Sequence, residues 1–332
     1  MKNREKLHGT RLNISEIICG GAAILKKMLE KEIKEKALQL GYSGCGIIPA
    51  LPFEEYRQAL DTHVQAFPKS KDLYEPLYGL VEPPEEAKSI IVCIRGYTQY
   101  KKLESLKERI GKYYLFSRYP SYSYEQRSKA EFETYLAANK CFIVKASIPV
   151  RWAAFKAGLG YFGRNNFFYT QDHGSYHGID VWAIDKELEY DTAPENTLAL
   201  GCNENCLKCV QACPSKALSG SLLMDRGKCL PRALYSKETP NEATEKTMGT
   251  WMFGCDVCQD VCPLNKGKFT EMEDYPLLSQ LESLLQPDAI LDMDETTYLR
   301  VIYPQFPFAG KDGLPIWKRN ALRIKKQAHP SN

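Results

Sequence analysis

The chain has 332 residues, of which 44% are hydrophobic and 26% are charged, and its formal net charge is +3. These values are those of an ordinary soluble protein with one large domain or two domains, and they exclude a chain that binds nucleic acid through its overall charge. They also exclude a membrane-spanning segment, because the longest apolar run, 17–25, has nine residues and includes two glycines.

The first 190 residues predict an α/β domain, because helical periodicity alternates with short apolar runs. The predicted helices cover 24–40, 53–65, 102–113 and 124–139, and the predicted strands cover 45–48, 89–94 and 141–144. The run 89–94 is continuously apolar, which indicates a strand buried on both faces.

An aromatic-rich segment follows the third predicted helix. It contains Tyr113, Tyr114, Phe116, Tyr119, Tyr122 and Tyr124. Aromatic side chains at this density either pack on the protein core or contact a flat ligand, which is a nucleobase or a large planar cofactor. The sequence leaves both interpretations open.

The string Gly158-Leu-Gly160-Tyr-Phe-Gly163 matches the glycine pattern of dinucleotide-binding loops. It follows a helix-like segment, 151–156, rather than a strand, and this context argues against a nicotinamide site. We predict instead a tight loop whose missing side chains let a flat ligand approach.

His173 and His177 are four residues apart, which is the spacing of a zinc-binding pair on one helix face. Gly174 and Gly178 argue against a helix at this point. The other two interpretations are a loop that presents proton donors to a pocket and a pair of surface histidines in a turn.

Eight cysteines lie within 202–262, in two runs that each end in Cys-Pro. In two-cluster ferredoxins the Cys that precedes Pro binds the cluster opposite to that of its own run. The spacing therefore predicts one [4Fe–4S] cluster bound by Cys202, Cys206, Cys209 and Cys262, and a second bound by Cys229, Cys255, Cys258 and Cys213. Two zinc sites are the alternative, since Cys-x2-Cys pairs also suit tetrahedral zinc.

The chain is expected to divide into four parts. These are an N-terminal arm (1–30), an α/β domain (31–190), a ferredoxin-like module (196–268) and a helical C-terminal tail (269–332). The tail ends in the basic residues Lys318, Arg319, Arg323, Lys325 and Lys326. They are interpreted either as a solvated helix face or as a contact surface for tRNA.

Seven segments, in order along 32–326, resemble the epoxyqueuosine reductase family. They are 46–56, 87–92, 157–163, Gly174-Ser175, the first cysteine run, 253–265 and 318–321. The glycine loop, some 40 residues before the first cysteine run, is more specific than the double run itself. Reductive dehalogenases share the architecture, but they commonly carry a twin-Arg signal that is missing here.

The resemblance implies a fold, cofactors and partners. The fold is α/β, with a nitroreductase-like domain that binds cobalamin in the base-off form, followed by a ferredoxin-like domain with two [4Fe–4S] clusters and a small helical tail. Reduced ferredoxin or flavodoxin is the expected electron donor, and tRNA is a candidate partner. Oxygen-sensitive clusters without an export signal predict a cytoplasmic location away from membranes.

One position departs from the family, because Ala146 stands where the family carries a catalytic aspartate. Alanine has no proton to give, and general acid catalysis contributes about 10²–10⁴-fold. The candidate replacement donors are Tyr176, His173, His177 and Tyr161, and Arg164 is a candidate for polarising a substrate oxygen. The expected cofactor-binding residues are Gly158, Gly160, Gly163, Arg164, Asn165, Asn166 and Ser175.

These features predict an iron–sulfur reductase that passes single electrons through two clusters to cobalamin. Three alternatives remain open at this point. The chain reduces epoxyqueuosine with the missing aspartate replaced locally, it reduces another small molecule by removing a halide or an oxygen substituent, or it is a non-catalytic electron carrier that reactivates a corrinoid on a partner.

Overall fold

The computed structural model describes residues 28–116, 120–121, 123–191, 201–220, 222–275 and 278–328. The strands are β1 (Gly44–Pro49), β2 (Ser89–Gly96), β3 (Ile143–Val144), β4 (Tyr161–Phe162), β5 (Phe168–Tyr169), β6 (His177–Ile184), β7 (Leu218–Gly220) and β8 (Leu223–Met224). The helices in the α/β part are α1 (28–39), α2 (Glu54–Ala66), α3 (Lys112–Leu115), α4 (Tyr124–Ala138) and α5 (Val150–Lys156).

The remaining helices belong to the second half of the chain. They are α6 (Lys208–Ala212), α7 (Leu230–Tyr235), α8 (Glu242–Met248), α9 (Val257–Asp260), α10 (Leu278–Leu281), α11 (Pro287–Asp292), α12 (Glu295–Thr297), α13 (Tyr303–Gln305) and α14 (Leu314–Ala328). A π-helical turn, Tyr298–Ile302, connects α12 to α13. None of the helices in the described part of the chain combines the length and the apolar character needed to cross a bilayer.

A four-stranded antiparallel sheet in the order β1-β2-β6-β3 is the centre of the α/β part. On one face Ile48, Ile90 and Val92 pack against α2 and α5. On the other face Ile47 and Ile91 pack against α1 and α4. Because side chains alternate across a strand and helices cover both faces, seven of the eight residues of β2 are buried. The prediction of a doubly buried strand at 89–94 is confirmed.

The predicted helix over 102–113 is wrong. The structure has a short 3-10 turn, Glu104–Leu106, and then α3. Between them Glu108 has a φ of 55°, and the Gly111 N–H donates to the carbonyl of Phe253 at 2.8 Å. A contact with a residue more than 140 positions away therefore overrides the local helical periodicity.

The C-terminal helices pack against the rest of the molecule. They share one core with the segment after β2 and with Tyr176, and this core contains Tyr97, Phe116 and Ile302. Within it Phe253 stacks on Trp317 with ring centroids 4.7 Å apart. Burial of apolar side chains from the middle and the C-terminal part of the chain joins the α/β part to the cluster module.

The described residues include some of the predicted domain boundaries. Residues 28–30, assigned to the N-terminal arm, are helical and belong to α1. The remainder of the arm, 1–27, and residues 192–200, where the α/β domain is expected to give way to the ferredoxin-like module, lie outside the described residues. The division at 190, 196 and 268 stays a prediction.

Candidate functional site

The two cysteine runs meet because α6 packs against α9. Cys209 and Cys213 are buried in a small apolar cluster that also includes Cys229 and Cys258 at its margin. Backbone N–H groups approach two of the sulfurs, since Arg164 donates to Cys202 Sγ and Ala217 to Cys213 Sγ, each at 3.3 Å. Such donors stabilise thiolate ligands.

Three other thiols act electrostatically on Cys209, and together with it they make up the first group. Burial raises the pKa of the Cys209 thiol, and the charges of Cys202, Cys262 and Cys206 raise it further. Cys262 comes from the second run, whereas the other three come from the first. This is the set predicted for the first cluster.

The other four thiols form a second group. Burial raises the pKa of Cys255 to about 12, with contributions from Cys229 and Cys213. Burial likewise raises the pKa of Cys258, with contributions from Cys255, Cys229 and Cys213. Here Cys213 of the first run joins residues of the second, as the exchange of Cys-Pro ligands predicts.

The glycine loop lies between α5 and β5, and its glycines pack against the protein itself. A Cβ on Gly160 would lie 2.1 Å from the Tyr169 carbonyl oxygen, and one on Gly163 would lie 2.4 Å from the Tyr169 ring. Gly158 has a φ of +69°, which favours glycine. Glycine is therefore required at 160 and 163 because β5 packs closely against them. The sequence pattern predicted that a flat ligand would approach these glycines.

The polar residues after this loop hold the cluster module against the α/β part. The Asn165 side chain donates to Tyr169 Oη at 2.9 Å and to the Cys258 carbonyl at 3.2 Å. The Arg164 guanidinium donates to the Glu204 carbonyl at 2.9 Å. These contacts give Arg164 and Asn165 positioning roles beside the cysteines, and cofactor contact by either stays a prediction.

Ser175 belongs to a buried polar network. Its hydroxyl donates to Gln259 Oε1 at 2.8 Å, and its N–H donates to Asn265 Oδ1 at 2.9 Å. Both partners lie in the segment 253–265, between and after the second-run cysteines. Ser175 therefore connects the start of β6 to the second cysteine run.

A central cavity of about 340 Å³ lies between the sheet and the cluster module. Five of its fifteen lining residues are Tyr or Phe, and Cys255 and Ser175 are among the others. The lining residues are Tyr97, Tyr113, Tyr114, Val150, Arg151, Phe167, Phe168, Ser175, His177, Gly178, Ile179, Pro231, Cys255, Asp256 and Gln259. Within the aromatic-rich segment, Tyr113 and Tyr114 line the cavity and Phe116 packs in the core, so the packing interpretation holds for Phe116 and contact with a planar cofactor stays a prediction. Tyr119 and Tyr122 lie outside the described residues.

Of the four candidate proton donors, His177 lines this cavity. It begins the central strand β6 instead of lying in a loop, and its Nε2 is 3.1 Å from the Phe168 carbonyl. His173 lies in the preceding turn, where its Nδ1 is 2.8 Å from Thr98 Oγ1. The two histidines thus bond to different elements, which gives no support to a shared zinc ion.

The two candidate tyrosines lie beside cluster cysteines. The Tyr176 hydroxyl donates to Asp260 Oδ1 at 3.1 Å. Tyr161 stacks on Tyr169 with centroids 6.1 Å apart, and burial raises its pKa, with smaller contributions from Cys202 and Cys262. Neither tyrosine lines the central cavity.

Sequence reasoning missed several cavity residues. Arg151, Asp256 and Gln259 line the central cavity but were not among the predicted site residues. Asp256 and Gln259 lie between the cysteines of the second run. The cysteine spacing there predicts metal ligands and gives no separate signal for a polar cavity wall. The signal for Arg151 was weaker, because an arginine at the start of a helix is usually exposed.

Comparisons with known proteins identify the chemistry. Residues 202–265 match a family described as a 4Fe-4S double cluster binding domain, which decides against the zinc alternative. An epoxyqueuosine reductase of Cellulophaga algicola is 29% identical over 76% of this chain and 84% of its own length. An epoxyqueuosine reductase of Prochlorococcus marinus is 31% identical, covering 72% of this chain and 78% of the relative. The chain belongs to the epoxyqueuosine reductase family.

Solved structures of epoxyqueuosine reductases share the fold. That from Streptococcus thermophilus superimposes with a TM-score of 0.68 over 90% of this chain and 81% of its own, at 22% identity. Another, solved with a tRNA-Tyr epoxyqueuosine-modified stem loop, gives a TM-score of 0.67 at 23% identity. The predicted fold class is thereby confirmed, and the chain is an iron–sulfur oxidoreductase.

The cofactors of the epoxyqueuosine reductase family are two [4Fe–4S] clusters and cobalamin. Both groups of four thiols fit the clusters in ligand type and number. The aromatic walls of the central cavity, with polar groups from Ser175, Gln259 and Arg151, fit a planar ring with amides at its edge. A volume of about 340 Å³ holds only part of a corrinoid, so the ligand would extend into the adjoining space.

Proposed function

We propose that this chain is a reductase that moves single electrons from a protein donor, through two cluster sites, to a cobalamin in the central cavity. The observation that carries the proposal is the position of the two thiol groups. Cys255 of the second group lines the cavity, whereas Cys202 and Cys206 lie in a loop whose neighbours 203–205 and 207–208 are exposed. A small reduced protein such as ferredoxin or flavodoxin would contact this exposed loop.

The residues of the chain would hold and shield the cofactor. Tyr97, Tyr113 and Tyr114 would contact its flat faces, and Ser175 and Gln259 would bind amides at its edge. Cobalamin, when bound, supplies the reducing centre for the substrate, and the chemistry at that centre is its own. The eight cysteines, assigned as above, would hold the two clusters, which would relay electrons from the protein donor.

His177 is the proposed proton donor. Because a carbonyl oxygen can only accept, the nearby Phe168 carbonyl requires the proton of the neutral imidazole on Nε2. Nδ1 is then the nitrogen that gains and loses the second proton, and the ring lines the cavity. Ala146, by contrast, lies in the loop between β3 and α5, part-buried against the core.

The proposed substrate is epoxyqueuosine in tRNA, and the proposed location is therefore cytoplasmic. The relatives named above support it. A cell strain without its own epoxyqueuosine reductase, expressing this chain, should regain queuosine in tRNA, as measured by mass spectrometry of nucleosides. Cys255→Ser, which removes a predicted cluster ligand, is the matched inactive control.

Ala146 favours a second candidate, the reduction of another small molecule. Ala146→Asp restores the acid of the family in the same test. If the Ala146→Asp variant restores queuosine and the unmodified chain does not, the scaffold still admits epoxyqueuosine but the native substrate differs. If neither the unmodified chain nor Ala146→Asp restores queuosine, the epoxyqueuosine proposal is wrong.

The cofactor assignment has its own measurement. Iron, sulfide and cobalt are quantified together in protein purified without oxygen in the presence of cobalamin. We expect the iron of two [4Fe–4S] clusters and one cobalt for each chain. Full iron without retained cobalt would contradict the cobalamin site and indicate an electron carrier.

A further inference from the structure

Tyr169 is the second residue of β5, and its side chain is completely buried beside the first group of thiols. Two neighbours hold its ring in one position. The ring stacks on Tyr161 of the paired strand β4 at an interplanar angle of 7°. It also fills the space that a Cβ on Gly163 would need, 2.4 Å away. A ring packed in this way presents its hydroxyl in a fixed direction.

Asn165 determines which atom of the Tyr169 hydroxyl takes part in the hydrogen bond between the two side chains. Asn165 Oδ1 accepts from the Phe167 N–H at 3.3 Å, and Nδ2 donates to the Cys258 carbonyl at 3.2 Å. The amide nitrogen therefore faces Tyr169 Oη, at 2.9 Å, and the hydroxyl oxygen must accept. The single proton of the hydroxyl is then available to another acceptor.

The side chain of Cys262 is that acceptor. Burial raises the pKa of the Tyr169 hydroxyl, and its hydrogen bond to the Cys262 side chain raises the pKa further, as a negative acceptor does for a donor. Cys262 is the member of the first group that comes from the second cysteine run. The sulfurs of this group thus receive a backbone donor from Arg164 at Cys202 and a side-chain donor at Cys262.

We propose that Tyr169 sets the reduction potential of the first [4Fe–4S] cluster by donating a hydrogen bond to the Cys262 thiolate. Reduction adds negative charge to a cluster and its ligands, so a donor at a ligand sulfur stabilises the reduced form and raises the potential. This role depends on Cys262 being a cluster ligand and holds for any substrate. In the proposed function, a higher potential of the first cluster favours electron transfer from the donor protein.

Tyr169→Phe is the test variant, because it removes the hydroxyl and keeps the ring. Tyr161→Phe is the matched control. Tyr161 stacks on the same ring and is acted on by the charges of Cys202 and Cys262, but within the described residues no hydrogen bond joins its hydroxyl to either sulfur. Circular dichroism and iron content verify that each variant is folded and carries both clusters.

Electron paramagnetic resonance during a reductive titration of the full-length protein gives a midpoint potential for each cluster. We expect one midpoint of Tyr169→Phe to become more negative and the other to stay unchanged. The shift should correspond to about threefold or more in the equilibrium constant for reduction, which is about 30 mV for one electron. Unchanged midpoints in Tyr169→Phe, or an equal shift in Tyr161→Phe, would overturn the inference.

A second variant keeps the hydroxyl and tests its strength as a donor. 3-Fluorotyrosine at position 169 has nearly the same shape as tyrosine and a more acidic hydroxyl, so it should fold even if Tyr169→Phe does not retain its clusters. The same midpoint should become less negative, because the hydrogen bond to Cys262 is stronger. A role of Tyr169 in packing alone would leave this midpoint where it is in the unmodified chain, and that result would contradict the proposal.

Cys213→Ser shows which cluster Tyr169 acts on, because this variant should keep the first cluster alone. The shift caused by Tyr169→Phe should persist in the Cys213→Ser background. A shift that occurs with both clusters but disappears in this background would mean that Cys262 binds the second cluster, which would overturn the proposal for the first. Queuosine formation enters none of these measurements, so a chain with another substrate would leave the role of Tyr169 standing.

Discussion

Gly160 and Gly163 match a ligand-binding pattern in sequence, but the packing of the fold explains why they are glycines. Both positions exclude a side chain because the carbonyl and the ring of Tyr169 occupy the space. Tyr169 also receives a hydrogen bond from Asn165, which in turn reaches the Cys258 carbonyl. The glycines therefore position β5 against the cluster module, and a ligand contact by them would be additional.

His173 carries a pH-dependent prediction. Burial lowers its pKa below the ordinary value of 6.5, although Asp172 acts in the opposite direction. Below pH 6.5 the unfolded chain then binds more protons at this residue than the folded chain does. The contribution of His173 to the free energy of unfolding is thus fully present above pH 6.5 and decreases as the pH falls.

The test compares the unmodified chain with His173→Gln. Chemical denaturation at pH 7.5 and at pH 5.5 should show a smaller loss of stability on acidification in the variant, because the titrating group is gone. Equal losses in both proteins would contradict the assignment. Gln can still bond to Thr98, so the comparison isolates protonation.

At the level of elements, α14 gives the clearest correction of a surface interpretation. The guanidinium of Arg319 donates to the Ser236 carbonyl at 2.7 Å and to that of Glu238 at 2.8 Å. Arg323 is 7% exposed and donates to the carbonyls of Gly249 and Trp251. Two of the five basic residues of this helix thus satisfy carbonyls at the ends of α7 and α8, and they are not available to nucleic acid.

Arg323→Met should lower the free energy of unfolding by about 2–3 kcal/mol, because two buried carbonyls lose a charged donor. Lys326→Met, an exposed change on the same helix, should alter it by less than about 0.5 kcal/mol. Denaturant unfolding of clusters-intact protein measures both. Equal stability of the two variants would mean that Arg323 does not support α8.

At the scale of the whole molecule, the two cysteine runs form a single unit. α6 packs against α9, and a common core of aromatic residues joins the α/β part to the C-terminal helices. The second thiol group draws on both runs and on Cys229 between them. The first group in turn combines three thiols of the first run with Cys262 of the second.

Cys213→Ser tests this exchange of ligands. We expect the variant to lose about half of its iron and to retain the first cluster, because Cys213 is assigned to the second cluster although it lies in the first run. Cys141→Ser, a buried cysteine outside both runs, should keep full iron. Iron analysis and electron paramagnetic resonance of the reduced protein decide, and loss of the first cluster instead would contradict the assignment.

Predictions from the sequence were reliable where the information is local. The spacing of the Cys-Pro runs predicts two [4Fe–4S] clusters, and the family match to 202–265 confirms it. The apolar run in β2 identifies a strand covered on both sides. The predicted helix at 102–113 failed for the opposite reason, because a contact with Phe253 determines that segment. The strand β6 was likewise missed, since glycine-rich 174–178 resembles a turn.

The sequence by itself determined the type of metal site, the layered α/β order and the missing acid at Ala146. Only the tertiary structure decided which thiols stand together, which candidate donor lines a cavity, and that the basic C-terminal helix supports the core. Spacing and periodicity act over a few residues and can be read directly from the chain. Cavities and buried charges depend on packing between segments far apart, as with Arg323 and the carbonyls of Gly249 and Trp251, and no local pattern encodes that packing.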